Sequence, residues 1–377
     1  MKHRLCIVTA LTALIFALFC TGAFAASFTE AGQAFVDGEE LESGLLEKDG
    51  VFYIRLSEAV KALGSELQQD GDVFSFAWRK STVTVTAESS DLQYRETRQL
   101  EAPAILNEAG DDLYVPAESF CAGAEIGTWY DEEYATLYCT PGAGDWELAA
   151  GYDVPVIMYH GTGHANIYEA NLIMPPEHLE EQLEYLVNNG YTTIWFEDLW
   201  HVEDYEKPVI LVFDDGWENN YRYLTPALEK YDCKATVAIV EDYTKDWPTN
   251  QLATWEVQEM AESGRISFQS HAKSHVALEY MNEEKQREEM ESSRIFITRL
   301  VGKEPFVLVY PYGSQNDTTL NIIPEYYRFG VKMQHKPELQ VWNTGDDPYL
   351  IWRYFAQSTT KLDEYQGWLE DVFGPAA

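Results

Sequence analysis

From residue 151 onward the sequence alternates between two kinds of segment, and this alternation narrows the available folds more than any other feature. Short runs of β-branched and apolar residues occupy Val154–Tyr159, Tyr191–Phe196, Val209–Phe213, Ala235–Val240, Ile266–Gln269, Phe306–Tyr310 and Phe329–Met333. Segments with helical spacing lie between them. The stretch 176–189 carries Leu179, Leu183, Leu186 and Val187 and stops at Asn189-Gly190; 218–230, 254–263 and 282–300 behave similarly. Strands alternating with helices predict a parallel sheet, open or closed into a barrel, because parallel neighbours need a helix-length crossover. In either form, functional groups collect at the C-terminal ends of the strands.

Three motifs fall at such ends. Asp214-Asp215 closes the run Val209–Phe213. Two adjacent carboxylates leaving a buried strand repel each other, and desolvating both is costly without a cation or a reaction to offset it. His271 and His275 follow the Ile266–Gln269 run; at i and i+4 on a helical turn, both imidazoles face one way. One aspartate and two histidines make a three-ligand metal site with a position open for water, the catalytic form of such sites. Tyr310-Pro311-Tyr312-Gly313 is the third motif. Singly, each has an ordinary reading: Asp-Gly is a common turn dipeptide, a His pair is commonly satisfied by its neighbours, and Pro-Tyr-Gly makes a plain turn. Their order, each behind a strand, gives them weight.

In that order they resemble the polysaccharide deacetylases of carbohydrate esterase family 4, the group with chitooligosaccharide deacetylase homology. Val154-Pro155-Val156-Ile157-Met158-Tyr159-His160 looks like the opening strand of that family's extracellular branch. Pro175–Trp195, Lys207–Val240, Trp255–Leu278 and Val301–Gly330 follow the same pattern, so the resemblance covers nearly all of 151–360. It implies an α/β fold, a distorted (β/α) barrel of seven to eight strands. It implies Asp214 as general base, Asp215, His271 and His275 as ligands of a divalent metal, usually Zn2+, and a backbone N–H near Tyr312 as a donor to the oxyanion. The implied reaction is hydrolysis of N-acetyl groups on cell-surface or extracellular glycans such as poly-N-acetylglucosamine, chitin-like oligomers or peptidoglycan. An O-acetyl polysaccharide esterase and a metal-containing glycan-binding protein with little turnover are the alternatives. The sequence departs from the family pattern at Ala272, where Thr or Ser is usual, at Gln269, where Gly is common, and at Val309, where an Arg often orients the base. No motif marks the histidine that protonates the leaving amine. His160 and His335 are the candidates, and His160, at a strand end, is the better placed.

Residues 27–140 read differently, with short strand-like runs (Val51–Leu56, Val73–Trp78, Thr82–Thr86, Leu113–Val115, Ala135–Tyr138) and an internal repeat. Tyr53-Ile54-Arg55-Leu56-Ser57-Glu58 leads to Leu63-Gly64-Ser65-Glu66-Leu67, and Tyr114-Val115-Pro116-Ala117-Glu118-Ser119 leads to Ala122-Gly123-Ala124-Glu125-Ile126. Each unit gives a strand, a short helix, a Gly stop and a hairpin. The pattern resembles the copper amine oxidase N-terminal-like domain, a non-catalytic module of exported bacterial proteins, and carries no implication of copper. It is expected to serve as a spacer or in cell-wall association. Pro141-Gly142-Ala143-Gly144 reads as a linker, and a catalytic domain spanning 151–377 is expected to fold without the module.

Residues 1–25 read as a secretory signal peptide, with basic Lys2, His3 and Arg4, apolar Leu5–Phe19 and the small-x-small site Ala23-Phe24-Ala25. The expected location is therefore secreted or at the cell surface. Cys6 and Cys20 leave with this segment, and an oxidising compartment permits one disulfide among the rest, with Cys121–Cys139 the expected pair and Cys233 a buried, inert thiol. The net charge of −37 repels nucleic acid and anionic membranes and suits a neutral or cationic substrate. The 11 Trp offer faces that stack on sugars, although most are expected in the core.

Overall fold

The computed structural model describes residues 28–164, 171–247, 249–333 and 341–374. The expected signal segment and His335 lie outside these residues.

Eight parallel strands form the C-terminal half: β1 (Val156–Tyr159), β2 (Thr192–Thr193), β3 (Pro208–Phe213), β4 (Ala235–Ile239), β5 (Ile266–Ser270), β6 (Val307–Val309), β7 (Phe329–Val331) and β8 (Tyr354–Phe355). The sheet runs β7-β6-β5-β4-β3-β1-β8, with β2 paired to the start of β3. It curls until the segment containing β8 bridges its two edges. Ile351 pairs with Val331 of β7, while Tyr354 and Phe355 pair with Ile157 and Met158 of β1. The expected α/β barrel of seven to eight strands is therefore present. The helices α1 (Pro176–Asn188), α2 (Asn219–Tyr231), α3 (Thr254–Glu262), α4 (Glu283–Val301), α5 (Asp317–Ile322) and α6 (Leu362–Phe373) accompany it. Strand β3 shows why these strands read as unbroken apolar runs: both faces are buried. Val209, Leu211 and Phe213 pack outward with the helices, whereas Ile210 and Val212 point into the barrel. Asp214, next in the alternation, thus faces inward at the strand's C-terminal end.

The expected strand at 191–196 shrinks to two residues, because Phe196–Asp204 winds into 3-10 turns that bury Phe196, Leu199 and Val202 inside the barrel. Strand β8 and helix α6 were not expected, since a two-residue strand leaves no periodicity to read.

The N-terminal half holds a five-stranded antiparallel meander over 68–99 and a larger mixed sheet. The repeat is real. Strands Val51–Arg55 and Leu113–Pro116 pair with each other, and each leads into a seven-residue helix, Leu56–Ala62 and Ala117–Gly123. The stop is corrected in the second unit. The left-handed residue matching Gly64 (φ +70°) is Glu125 (φ +58°), not Gly123. Gly123 is instead a close-packing position, where an added Cβ meets Leu92 at 3.3 Å. The expected disulfide is also corrected: Cys121 and Cys139 are buried free thiols. They share the apolar core of the module, and the sequence order located their meeting but not their bonding state. Cys233 is buried, as expected.

Residues 141–150, read from sequence as a linker, instead close the floor of the barrel. Trp146 packs with Phe329, and Ala143, Leu148 and Ala149 lie against the same interior cluster. Gly142 is required, because a Cβ there would sit 2.2 Å from the Phe306 ring. Arg328 donates to the Gly144 and Trp146 carbonyls, and Arg79 of the module donates to the Pro141 carbonyl at 2.7 Å and lies over the Trp146 and Trp200 rings. Beside this floor, Lys303 reaches Asp37 of the module at 2.7 Å and Glu197 at 2.9 Å, and Arg299 holds Asp131 through two bonds. Arg328 precedes β7 and Lys303 precedes β6, so the module docks at the N-terminal ends of the strands, away from Asp214 and His271.

Trp146→Ala should destabilise the protein by about 3–5 kcal/mol, as buried Trp truncations do. A chain beginning at Gly151 should aggregate or melt well below the full-length protein. Thermal denaturation of the two proteins checks this, and equal melting temperatures would show that the floor is dispensable.

Candidate metal and catalytic site

The three sequence motifs meet at one end of the barrel. Asp215, His271 and His275 bring one ligand atom each within 4.8 Å of one another. Asp215 Oδ1 lies 3.2 Å from His275 Nε2 and 3.5 Å from His271 Nε2. Edges of about 3.3 Å are what a tetrahedron with zinc–ligand bonds of about 2.0–2.1 Å requires. The surroundings leave those atoms free for an ion. His271 Nδ1 donates to the Val309 carbonyl at 2.6 Å, which fixes the ring and turns Nε2 toward Asp215. Trp217 Nε1 donates to Asp215 Oδ2 at 3.1 Å, and Asp215 Oδ1 is buried with no hydrogen-bond partner. A buried carboxylate oxygen faced by two imidazole nitrogens fits a divalent cation. Burial alone would raise the Asp215 pKa, but the His271 and His275 imidazoles facing it outweigh burial and hold this carboxyl far below the usual range. Burial would lower the His271 pKa; the facing Asp215 carboxylate, Asp214 and the bond to the Val309 carbonyl raise it instead.

The histidine pair is not on a helical turn. It sits on a loop after β5, with left-handed residues at Ala272 (φ +63°) and His275 (φ +54°). Asp215 (φ +69°) and Tyr312 (φ +60°) share that conformation, so each motif contains a non-glycine residue in a disfavoured region. Such strain gathers at functional sites.

Asp214 is buried beside the triad. Its Oδ1 accepts from Arg353 Nη1 at 2.7 Å, and Arg353 Nε donates to the Lys332 carbonyl at 3.2 Å. Both side chains are almost fully enclosed, with 1 % of Arg353 and 4 % of Asp214 exposed. Arg353 is the site residue that sequence reasoning missed. It stands in the barrel-closing segment just before β8 and does for Asp214 what the expected Arg at Val309 would have done. A lone cation inside Tyr349-Leu350-Ile351-Trp352-Arg353-Tyr354-Phe355 was the available signal, since an arginine buried in an apolar run needs a partner.

The other departures also find their reasons. Gln269 points into the barrel where β5 and β6 share only one paired position, and its Oε1 accepts the Phe306 and Val307 N–H groups at 2.9 Å each. Its amide repairs the gap in the ladder. Ala272 is fully buried, and its N–H is taken by Ser270 Oγ at 3.1 Å.

His160 follows β1 and lies among the same charges. Burial lowers its pKa, while Asp214 and Asp215 pull the other way. Its Nδ1 has no partner, and Asn220 Nδ2 holds its carbonyl at 2.8 Å. Tyr312 is 59 % exposed, with its ring 4.7 Å from His275; Tyr243 stands 5.8 Å from the same imidazole. Of the Trp residues, Trp146, Trp342 and Trp368 are buried and Trp247 and Trp255 are exposed; the rest are half-buried, so fewer lie in the core than expected.

Comparison with known proteins points the same way. The polysaccharide deacetylase family model matches residues 201–327. The Bacillus subtilis (strain 168) protein YxkH, whose name assigns it provisionally to the polysaccharide deacetylases, is 30% identical over 184 residues. That match takes in 47% of this chain and 63% of YxkH, so the chain spans less than two thirds of this relative. The structure of the Streptococcus pyogenes deacetylase PplD in complex with acetate superposes with a TM-score of 0.53 and 26% identity, over 58% of this chain and 99% of that one. A polysaccharide deacetylase from Bacillus cereus shares the fold at 21% identity and a TM-score of 0.53, covering 81% of this chain and 98% of its own. The part of the chain that carries most of the site thus matches the polysaccharide deacetylase family model and shares its fold with solved deacetylases.

Proposed function

We propose that this protein is an exported, metal-dependent deacetylase that removes N-acetyl groups from cell-surface or extracellular glycans. The observation that carries the reading is the pairing of roles at Asp214-Asp215. One carboxylate is held by an arginine and free of the metal triad, while its neighbour faces two histidines. The acetate bound to the streptococcal protein is what such a reaction releases and supports the reading.

Asp215, His271 and His275 would hold a divalent ion such as zinc, which when bound would acidify a water and polarise the acyl carbonyl. The rest is done by the chain itself. Asp214 takes the proton from the attacking water, and Arg353 fixes its carboxylate in direction. The backbone at Tyr312 offers an N–H to the oxyanion. His160, held neutral by burial in the resting site, relays the proton to the leaving nitrogen. Tyr312 and Tyr243 present rings on which a pyranose can stack beside the reacting group. The N-terminal half is read as a copper amine oxidase N-terminal-like module without chemistry of its own. Docked under the barrel, it acts as a foundation and as a point of wall attachment.

Three outcomes are expected. Asp214→Asn should retain metal and lose nearly all acetate release; hydrolysis within tenfold of wild type would remove Asp214 from the role of base. His275→Ala should lose the metal, read by elemental analysis after dialysis against a chelator, because two ligands rarely retain zinc. Arg353→Ala leaves a buried carboxylate unpaired and should cost about 3–5 kcal/mol of stability together with most turnover. Acetate release from N-acetylated against O-acetylated glycans decides the substrate, and preference for the latter would make the protein an esterase.

A further inference from the structure

Helix α4 carries a feature that the reaction does not use. Its face toward the barrel buries Gln286, Glu289, Ser293 and Thr298 where a core-facing helix ordinarily places apolar residues. Glu289 is 6 % exposed, and both of its carboxylate oxygens are spent on one residue. Ser274 N–H donates to Oε2 at 2.8 Å, and Ser274 Oγ donates to Oε1. One turn on, Ser293 Oγ meets Ser270 Oγ at 2.9 Å, and Ser270 in turn takes the Ala272 N–H. The loop 271–275 is therefore pinned to α4 at two points, each beside one of its left-handed residues.

We propose that Glu289 is a positioning residue that holds His275 in its ligating place. The inference rests on the metal site described above. His275 follows Ser274 directly and adopts φ +54°, a conformation disfavoured for a residue with a Cβ. An unanchored loop relaxes out of it and carries the imidazole away from Asp215. His271 needs no such support, because it follows β5 immediately and its ring is fixed by the Val309 carbonyl. Only the second histidine depends on the loop. A carboxylate suits the task because it accepts a backbone N–H and a hydroxyl together without competing for the ion, its two oxygens being turned to Ser274.

The test is a zinc titration of the full-length protein by competition with a chromophoric chelator, alongside thermal denaturation without metal. Glu289→Ala should weaken zinc binding by roughly 10–100-fold, the range for loss of a group that orients a ligand. Glu289→Gln, whose amide can accept the N–H and donate to the hydroxyl, should stay within about threefold of wild type. Ile297→Ala, a cavity two turns along α4, serves as the stability control and should lower the melting temperature without moving the zinc affinity. Wild-type affinity in Glu289→Ala overturns the proposal, as does an equal loss in Ile297→Ala, which would mean that general loosening is responsible. If Glu289→Ala does not fold, Ser274→Ala decides: weakening beyond threefold supports the anchor, and less overturns it. A wild-type protein that binds no zinc would overturn the metal-site reading itself, a result distinct from either.

Discussion

Two neighbouring carboxylates at the mouth of a dry barrel cannot share one countercharge and remain distinct in role. The site solves this by dividing their surroundings. Asp214 turns inward to Arg353, and Asp215, through a left-handed backbone, turns to His271 and His275. Each carboxylate has its own partner, one a guanidinium and the other imidazoles that an ion would join. Much of the surrounding structure follows from keeping these two environments apart: the Trp217 bond to the outer oxygen of Asp215, the Val309 carbonyl behind His271 and the Ser274–Glu289 staple.

How much of this the sequence disclosed depends on the range of each interaction. The barrel was legible because β3, β4 and β5 are buried on both faces and their apolar runs are unbroken. The metal triad was legible because its members stand at fixed offsets from those strands. Arg353 was hidden because its partner is 139 residues away and no local pattern ties them. Gln269 looked like a loss until its amide was seen to complete the β5–β6 ladder. The histidine spacing suggested a helical turn, but i and i+4 fix a separation along the chain, not a backbone conformation, and the left-handed Ala272 and His275 rule the helix out. The two cysteines were matched correctly as neighbours and wrongly as a bridge.

The floor of the barrel carries a similar lesson about composition. Pro141-Gly142-Ala143-Gly144 has the content of a flexible connection, yet its glycines are there to let the backbone approach Phe306 and the Glu125–Ile126 segment. Small residues mark close contact as readily as freedom. The consequence is a joint between the two halves: Trp146 belongs by sequence to neither and by packing to the barrel, while Arg79 and Arg328, one from each half, both lie over its ring.

Segment 351–355 both completes the ring of strands and delivers the guanidinium that partners Asp214. Shape and charge are therefore joined in one short stretch of backbone. Whatever loosens the pairing of Ile351 with Val331 or of Tyr354 with Ile157 also displaces the guanidinium that faces Asp214. The seam of the barrel and the surroundings of its buried carboxylate cannot be altered separately.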